Sequence, residues 1–128
     1  NKVLEKAFNG DEIQVVNDEQ SVPTSARFIA YVLLKILKNN SILGREIYNI
    51  VPNGMATRVD FAYKVLKEAE KRKLNIKTSY DEIVPINSET IKMIAKRPKF
   101  SVLDNNKIKE KFNLKFKNWD EYLGDLFN

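Results

Sequence analysis

Apolar residues recur along this chain with two different periods. Val3, Leu4, Ala7 and Phe8 fall on one side of a helix. Asn9-Gly10-Asp11 ends it, because Gly and Asn accept the left-handed conformation of a helix terminus. Ile13-Gln14-Val15-Val16 reads as a short strand, and Asn17 to Thr24 as a polar loop closed by Pro23. Thr24 or Ser25 caps a second helix that runs to about Lys38. Its spacing places Ala26, Ile29, Ala30, Leu33 and Leu37 on one face, with Arg27, Tyr31, Lys35 and Lys38 on another. Asn39-Asn40-Ser41 breaks that helix, Ile47 to Val51 reads as a strand, and Pro52-Asn53-Gly54 turns the chain.

Thr57 with Asp60 three residues on is a capping-box spacing, with Asp in place of Glu. The helix after it buries Phe61, Val65, Leu66 and Ala69. Ile83 to Ile86 is a strand that Pro85 confines to an edge or an end. Ser88 to Ala95 supplies one helical turn or two, and Asp104 caps a short helix through Phe112 that stops at Asn113. Asn118 and Glu121 form an approximate capping box for a last helix with Trp119, Tyr122, Leu123, Leu126 and Phe127 on one face, a packing stripe. The order is mixed α/β: helices with a few short strands. Three short strands make a thin sheet, and such strands normally pair with more sheet. The chain also begins without a helix-opening signal. Both features lead us to expect part of a larger protein.

Composition narrows the chemistry. With 43% hydrophobic and 30% charged residues, 128 residues suffice for a globular core. No apolar run approaches the ~20 residues of a membrane span, and the first residues lack a signal-peptide layout, so a cytoplasmic protein with no membrane partner is expected. Cysteine and histidine are both absent. Disulfides, thiolate chemistry and the commonest general base and metal ligand are thereby excluded. The net charge of +5, with the Arg27/Lys35/Lys38 stripe, is the only argument for nucleic acid. Solvated surface accounts for it better, and no nucleic-acid partner is expected.

Few residues are arranged for catalysis. Tyr-x-x-x-Lys occurs at Tyr31/Lys35 and Tyr63/Lys67, the spacing with which a Lys lowers the pKa of a general-acid Tyr. Lys is abundant, and both read as surface pairs. Gly10, Gly44, Gly54 and Gly124 are scattered singly, so there is no dinucleotide fingerprint. The acidic pairs Asp11/Glu12, Asp18/Glu19 and Asp81/Glu82 read as solvated or capping groups rather than acid/base or metal sites. Lys96-Arg97-Pro98-Lys99 is the segment best suited to a ligand, because a guanidinium fork matches phosphate oxygens and Pro stiffens the loop.

Several segments together resemble one family. Val15-Val16-Asn17-Asp18-Glu19-Gln20-Ser21-Val22-Pro23-Thr24 is similar to the Val-x-Asn-Asp-Gln-x-Gly-x-Pro-Thr stretch of the thymidine-diphosphate-4-dehydrorhamnose reductases, extended short-chain dehydrogenase/reductases. Gly44 to Ile50, Gly54 to Ala62, Arg97 to Ile108 and the stretch from Trp119 resemble further segments of that family, in family order over essentially the whole chain. Three departures stand out: Ser21 for Gly, Arg58 where Trp is common, and Met93-Ile94 for Thr-Pro.

The resemblance implies that residues 1–128 are the C-terminal substrate-binding domain of a Rossmann-type enzyme, with the N-terminal NADP-binding domain absent. It implies a nucleotide-sugar substrate, NADPH as the cofactor of the absent domain, and catalytic residues lying before Asn1. Within this chain it assigns no catalytic, cofactor or metal residue, and Arg97 as the ligand-side contact. The Tyr48 strand would extend the Rossmann sheet. A homodimer is the expected partner arrangement of the parent, and the alternative reading is a non-catalytic regulatory or binding relative on the same scaffold.

Overall fold

A computed structural model describes residues 2–39, 45–91, 95 and 97–127. Gly44, the Asn40-Ser41 break, Met93-Ile94 and Lys96 lie outside the described residues. In chain order the elements are α1 (Lys2–Asn9), β1 (Ile13–Val16), β2 (Gln20–Ser21), α2 (Ala26–Lys38), β3 (Ala56–Thr57), α3 (Arg58–Lys71), β4 (Ile83–Ile86) and α4 (Asn106–Phe112). Short 3-10 turns cover Tyr80–Glu82 and Ser88–Thr90, and a longer 3-10 helix covers Trp119–Phe127. The chain forms two compact units, one from Asn1–Ser21 with Ala56–Ser101, the other from Val22–Met55 with Val102–Asn128.

The first unit is built on a parallel pair. β1 and β4 run side by side with Ile13 opposite Ile83 and Val16 opposite Ile86. Ile13 and Ile83 are buried with Ala7 of α1 and Val59, Ala62 and Leu66 of α3. The two-residue strands β2 and β3 pair antiparallel; both fall where the sequence pattern showed only a loop and a helix start. The Thr57–Asp60 capping box forms with both arms: Asp60 N–H donates to Thr57 Oγ1 at 3.1 Å, and Thr57 N–H to Asp60 Oδ2 at 2.9 Å. This satisfies donors that the first helical turn leaves free. After α1, Gly10 at φ +84° turns the chain, and the buried Thr78 hydroxyl donates to the Asp11 carbonyl at 3.0 Å. Tyr80 donates to Glu70 at 2.6 Å, which pushes its phenol up to about 12.

The second unit has no strand ladder among its described residues. Its core is Phe28, Val32, Ile108, Phe112 and Phe116. Phe28 meets Phe116 and Tyr122 edge-to-face, with ring centroids 5.0 and 4.9 Å away. The side-chain amide of buried Asn105 donates to the carbonyls of Val51 and Pro52 and to Asn53 Oδ1. Asn53 in turn donates to the Phe116 carbonyl at 2.6 Å. Trp119 donates to the Met55 carbonyl at 3.2 Å and packs on Gly54, whose φ is +86°. A β-carbon at position 54 would lie 3.2 Å from the indole, and that φ suits glycine.

Four expectations are corrected. The apolar face read from the spacing of α2 is not the one that packs: Phe28 and Val32 are buried, whereas Leu33 and Leu37 are 45% and 70% exposed. The helix carries two apolar stripes, and the one bearing Phe28 is taken by the aromatic cluster. Residues 47–51 form no strand within this chain. The period of two survives, with Tyr48 and Ile50 packed on the core and Ile47 86% exposed, but no described segment supplies a ladder partner. Asn105, not Asp104, is the N-cap of α4, its side chain turned inward, while Asp104 accepts from Asn106 N–H. The C-terminal helix is of 3-10 type, and only the Glu121 arm of its expected box forms, at 3.3 Å. Asn113 ends α4 at φ +49°, as its residue type suggests.

These packing assignments can be checked by urea unfolding followed by circular dichroism. Phe28→Ala should cost about 3–5 kcal/mol, the range for emptying a buried aromatic site. Leu33→Ala should change stability by no more than about 0.5 kcal/mol. Equal losses at the two positions would contradict the burial of the Phe28 stripe.

Candidate ligand-binding site

Within the first unit, a cavity of about 270 Å³ lies along the carboxyl-terminal half of β1 and the segments beyond it. It is lined by Gln14, Val15, Val16, Glu19, Arg58, Ser88, Ile91 and Arg97. The strand register explains its position. Val16 sits opposite Ile86, so the chains leaving β1 and β4 run out together and bring Asp18 to Ser88. Asp18 accepts from the Ser88 N–H and from the Ser88 hydroxyl, each at 2.8 Å. Glu19 lies 3.7 Å from the Arg58 Nε on the first turn of α3.

The basic segment is held by the same residues. Gln20 N–H donates to the Lys99 carbonyl at 2.8 Å, and Ser101 N–H to the Gln20 carbonyl at 2.9 Å. Lys99 Nζ reaches Asp18 at 3.5 Å. Arg97, two residues earlier, is thus tethered to the β1 exit and lines the cavity. Among the described residues no acidic partner is found for Arg97. The charged groups gathered here are Arg58, Arg97 and Lys99 against Asp18 and Glu19, a balance that favours an anion. The Ser88 hydroxyl and then its backbone N–H hold the Asp18 carboxyl below its usual 3.8, with Lys99 adding attraction.

The remaining candidates are placed elsewhere. Tyr31 and Lys35 lie on α2 with the ammonium 5.5 Å from the ring centroid, a cation–π contact on an exposed face. Tyr63 stacks on Tyr80 at 5.7 Å. Neither pair lines the cavity. Asp11 accepts from Asn9 and Glu12 from Gln14, and Glu82 caps the turn at Ser79. Among the described residues there is no cluster of acidic groups able to hold a metal ion. The sequence reading singled out Arg97 but assigned no site role to Ser88, Glu19 or Arg58. Ser88 carries no local signal; only the β1–β4 register brings it to Asp18.

A cationic cleft beside the carboxyl ends of parallel strands, with helices packed against them, is the ligand-binding arrangement of α/β proteins. The chain belongs to the RmlD substrate binding domain family, whose description matches residues 1–128. It is 27% identical over 130 aligned residues to the dTDP-4-dehydrorhamnose reductase of Escherichia coli strain K12, covering 98% of this chain and 42% of that protein. The reductase of the same description from Salmonella typhimurium strain LT2 is 27% identical over 122 residues, covering 92% of this chain and 40% of that one. The solved dTDP-4-dehydrorhamnose reductase of Bacillus anthracis, in complex with NADP, superposes with a TM-score of 0.81 at 25% identity, over 98% of this chain and 41% of that one. That of Clostridium acetobutylicum gives 0.78 at 25% identity, over 98% and 41%. The chain therefore spans well under half the length of these relatives. No helix among the described residues is long and apolar enough to cross a membrane.

The Asp18–Ser88 clamp has a pH signature. The Asp18 carboxyl is lowered in the folded protein, so its stabilising contribution is complete above about 3.8 and is lost as pH falls through the lower folded value. The stability gap between wild type and Asp18→Asn should therefore be open at neutral pH and close on acidification, read by urea unfolding across that range. A gap that stays constant with pH would show that the charged carboxylate contributes nothing specific.

Proposed function

We propose that this chain supplies the nucleotide-sugar-binding portion of a reductase that converts the 4-keto group of a thymidine-diphosphate sugar to an alcohol at the expense of NADPH. The observation that carries the reading is the cavity itself: Arg97, without an acidic partner among the described residues, lines a cleft at the end of a parallel pair in a substrate-binding-domain fold. A guanidinium binds two diphosphate oxygens at once, and the tether from Gln20 to Lys99 keeps Arg97 in place to do so. Membership of a family of reductases, one of them solved with NADP, supports the reaction class.

The chain's own residues do not suit a dinucleotide. Its described glycines give no phosphate-cradling turn; Gly10 and Gly54 serve single positive-φ turns. Neither Tyr-x-x-x-Lys pair lines the cavity. NADPH binding, hydride delivery and the proton-donating group are therefore assigned to residues outside this chain, and no chemical step is assigned within it.

The full-length protein should oxidise NADPH in the presence of a thymidine-diphosphate 4-keto sugar, whereas the 128-residue chain should show no turnover. Arg97→Gln in the full-length protein should raise KM about tenfold with little change in kcat, as removal of uniform binding does. Turnover by the isolated chain, or an unchanged KM in Arg97→Gln, would overturn this assignment.

A further inference from the structure

Arg58 departs from the resembled family, in which Trp is common at this position, and it lines the same cavity as Arg97. The capping box fixes the backbone from which it projects, because Thr57 and Asp60 lock the first turn of α3 from both sides. Its guanidinium is not committed to structure. Its ion pair with Glu19 is long, at 3.7 Å, and the Arg58 side chain is half exposed. Such a pair contributes little to stability, and a ligand can displace it at small cost. Glu19 is mostly covered, with 13% of its side chain exposed, so it stays at the cavity wall when Arg58 moves.

The diphosphate of a nucleotide sugar carries two negative charges on two phosphorus centres. One guanidinium fork pairs with the oxygens of one phosphate. Building on the nucleotide-sugar reading above, we propose that Arg58 is a second diphosphate-binding residue of the Arg97 cavity, and that Glu19 is the carboxylate that holds it when no ligand is bound. The residue type common in the resembled family is here exchanged for a second cation. Ligand binding then replaces the Arg58–Glu19 pair with an Arg58–phosphate pair, so Glu19 competes with the ligand and weakens binding.

The test is calorimetric titration of the full-length protein with thymidine-diphosphate-glucose and, separately, with uncharged thymidine. Arg58→Trp should bind thymidine-diphosphate-glucose about tenfold more weakly than wild type, while its affinity for thymidine stays the same. Arg58→Lys should recover part of the loss, and Glu19→Gln should bind more tightly than wild type. A tighter complex cannot come from a damaged fold, so that variant tests the idea even if Arg58→Trp folds poorly. Loss of affinity in Arg97→Gln with wild-type affinity in the Arg58 and Glu19 variants would overturn the Arg58 role and leave the nucleotide-sugar reading intact. No binding of thymidine-diphosphate-glucose by wild type, or binding indifferent to Arg97, would overturn both.

Discussion

The pairing of β1 with β4 is the constraint on which the site depends. A parallel ladder has one register that buries Ile13 with Ile83, and a slip of one residue would turn each strand's apolar face outward. Because that register is fixed by burial, the position of every residue just beyond the strands is fixed as well. Asn17 N–H extends the ladder to the Ile86 carbonyl at 3.0 Å, and Asp18 then meets Ser88 across 70 residues of sequence. Gln20 carries the same alignment to Lys99 and Ser101. A hydrophobic choice at Ile13 and Ile83 thus determines where a guanidinium stands more than ten residues further along the chain.

The second unit solves its assembly differently. Without strands among its described residues, it relies on side-chain amides to bind irregular backbone. Asn105 satisfies two carbonyls and the Asn53 amide oxygen, and Asn53 reaches the Phe116 carbonyl. A buried backbone carbonyl left unpaired would cost free energy comparable to a lost hydrogen bond. These two amides are therefore as structural as the aromatic cluster beside them. Among the described residues no buried side-chain nitrogen or oxygen is left without a partner.

Local signals were legible in the sequence and long-range ones were not. The capping box at Thr57 and Asp60, the left-handed stop at Asn113, the Gly54 turn and the strands β1 and β4 depend on neighbours within a few residues, and each was readable. The buried side of α2 was not, because its sequence offers two apolar stripes and the choice between them is made by Phe116 and Tyr122, some ninety residues away. Residues 47–51 alternate as a strand does, yet alternation reports which side faces the core and not whether a partner exists to complete a ladder. At the site, Arg97 was accessible from the chemistry of its loop and from family resemblance. Arg58 was visible only as a departure, and its meeting with Glu19 and Arg97 needed the fold.

The packing of Trp119 against Gly54 has an optical consequence. It is the only tryptophan in the chain, and it is buried in the second unit. Indole emission therefore follows the loss of structure around Asn53 to Met55, while the unit that holds the ligand cavity contains tyrosine as its only strong fluorophore, at Tyr63 and Tyr80. The indole thus reports directly on the second unit, and the unit that carries the site is followed directly only through its tyrosines.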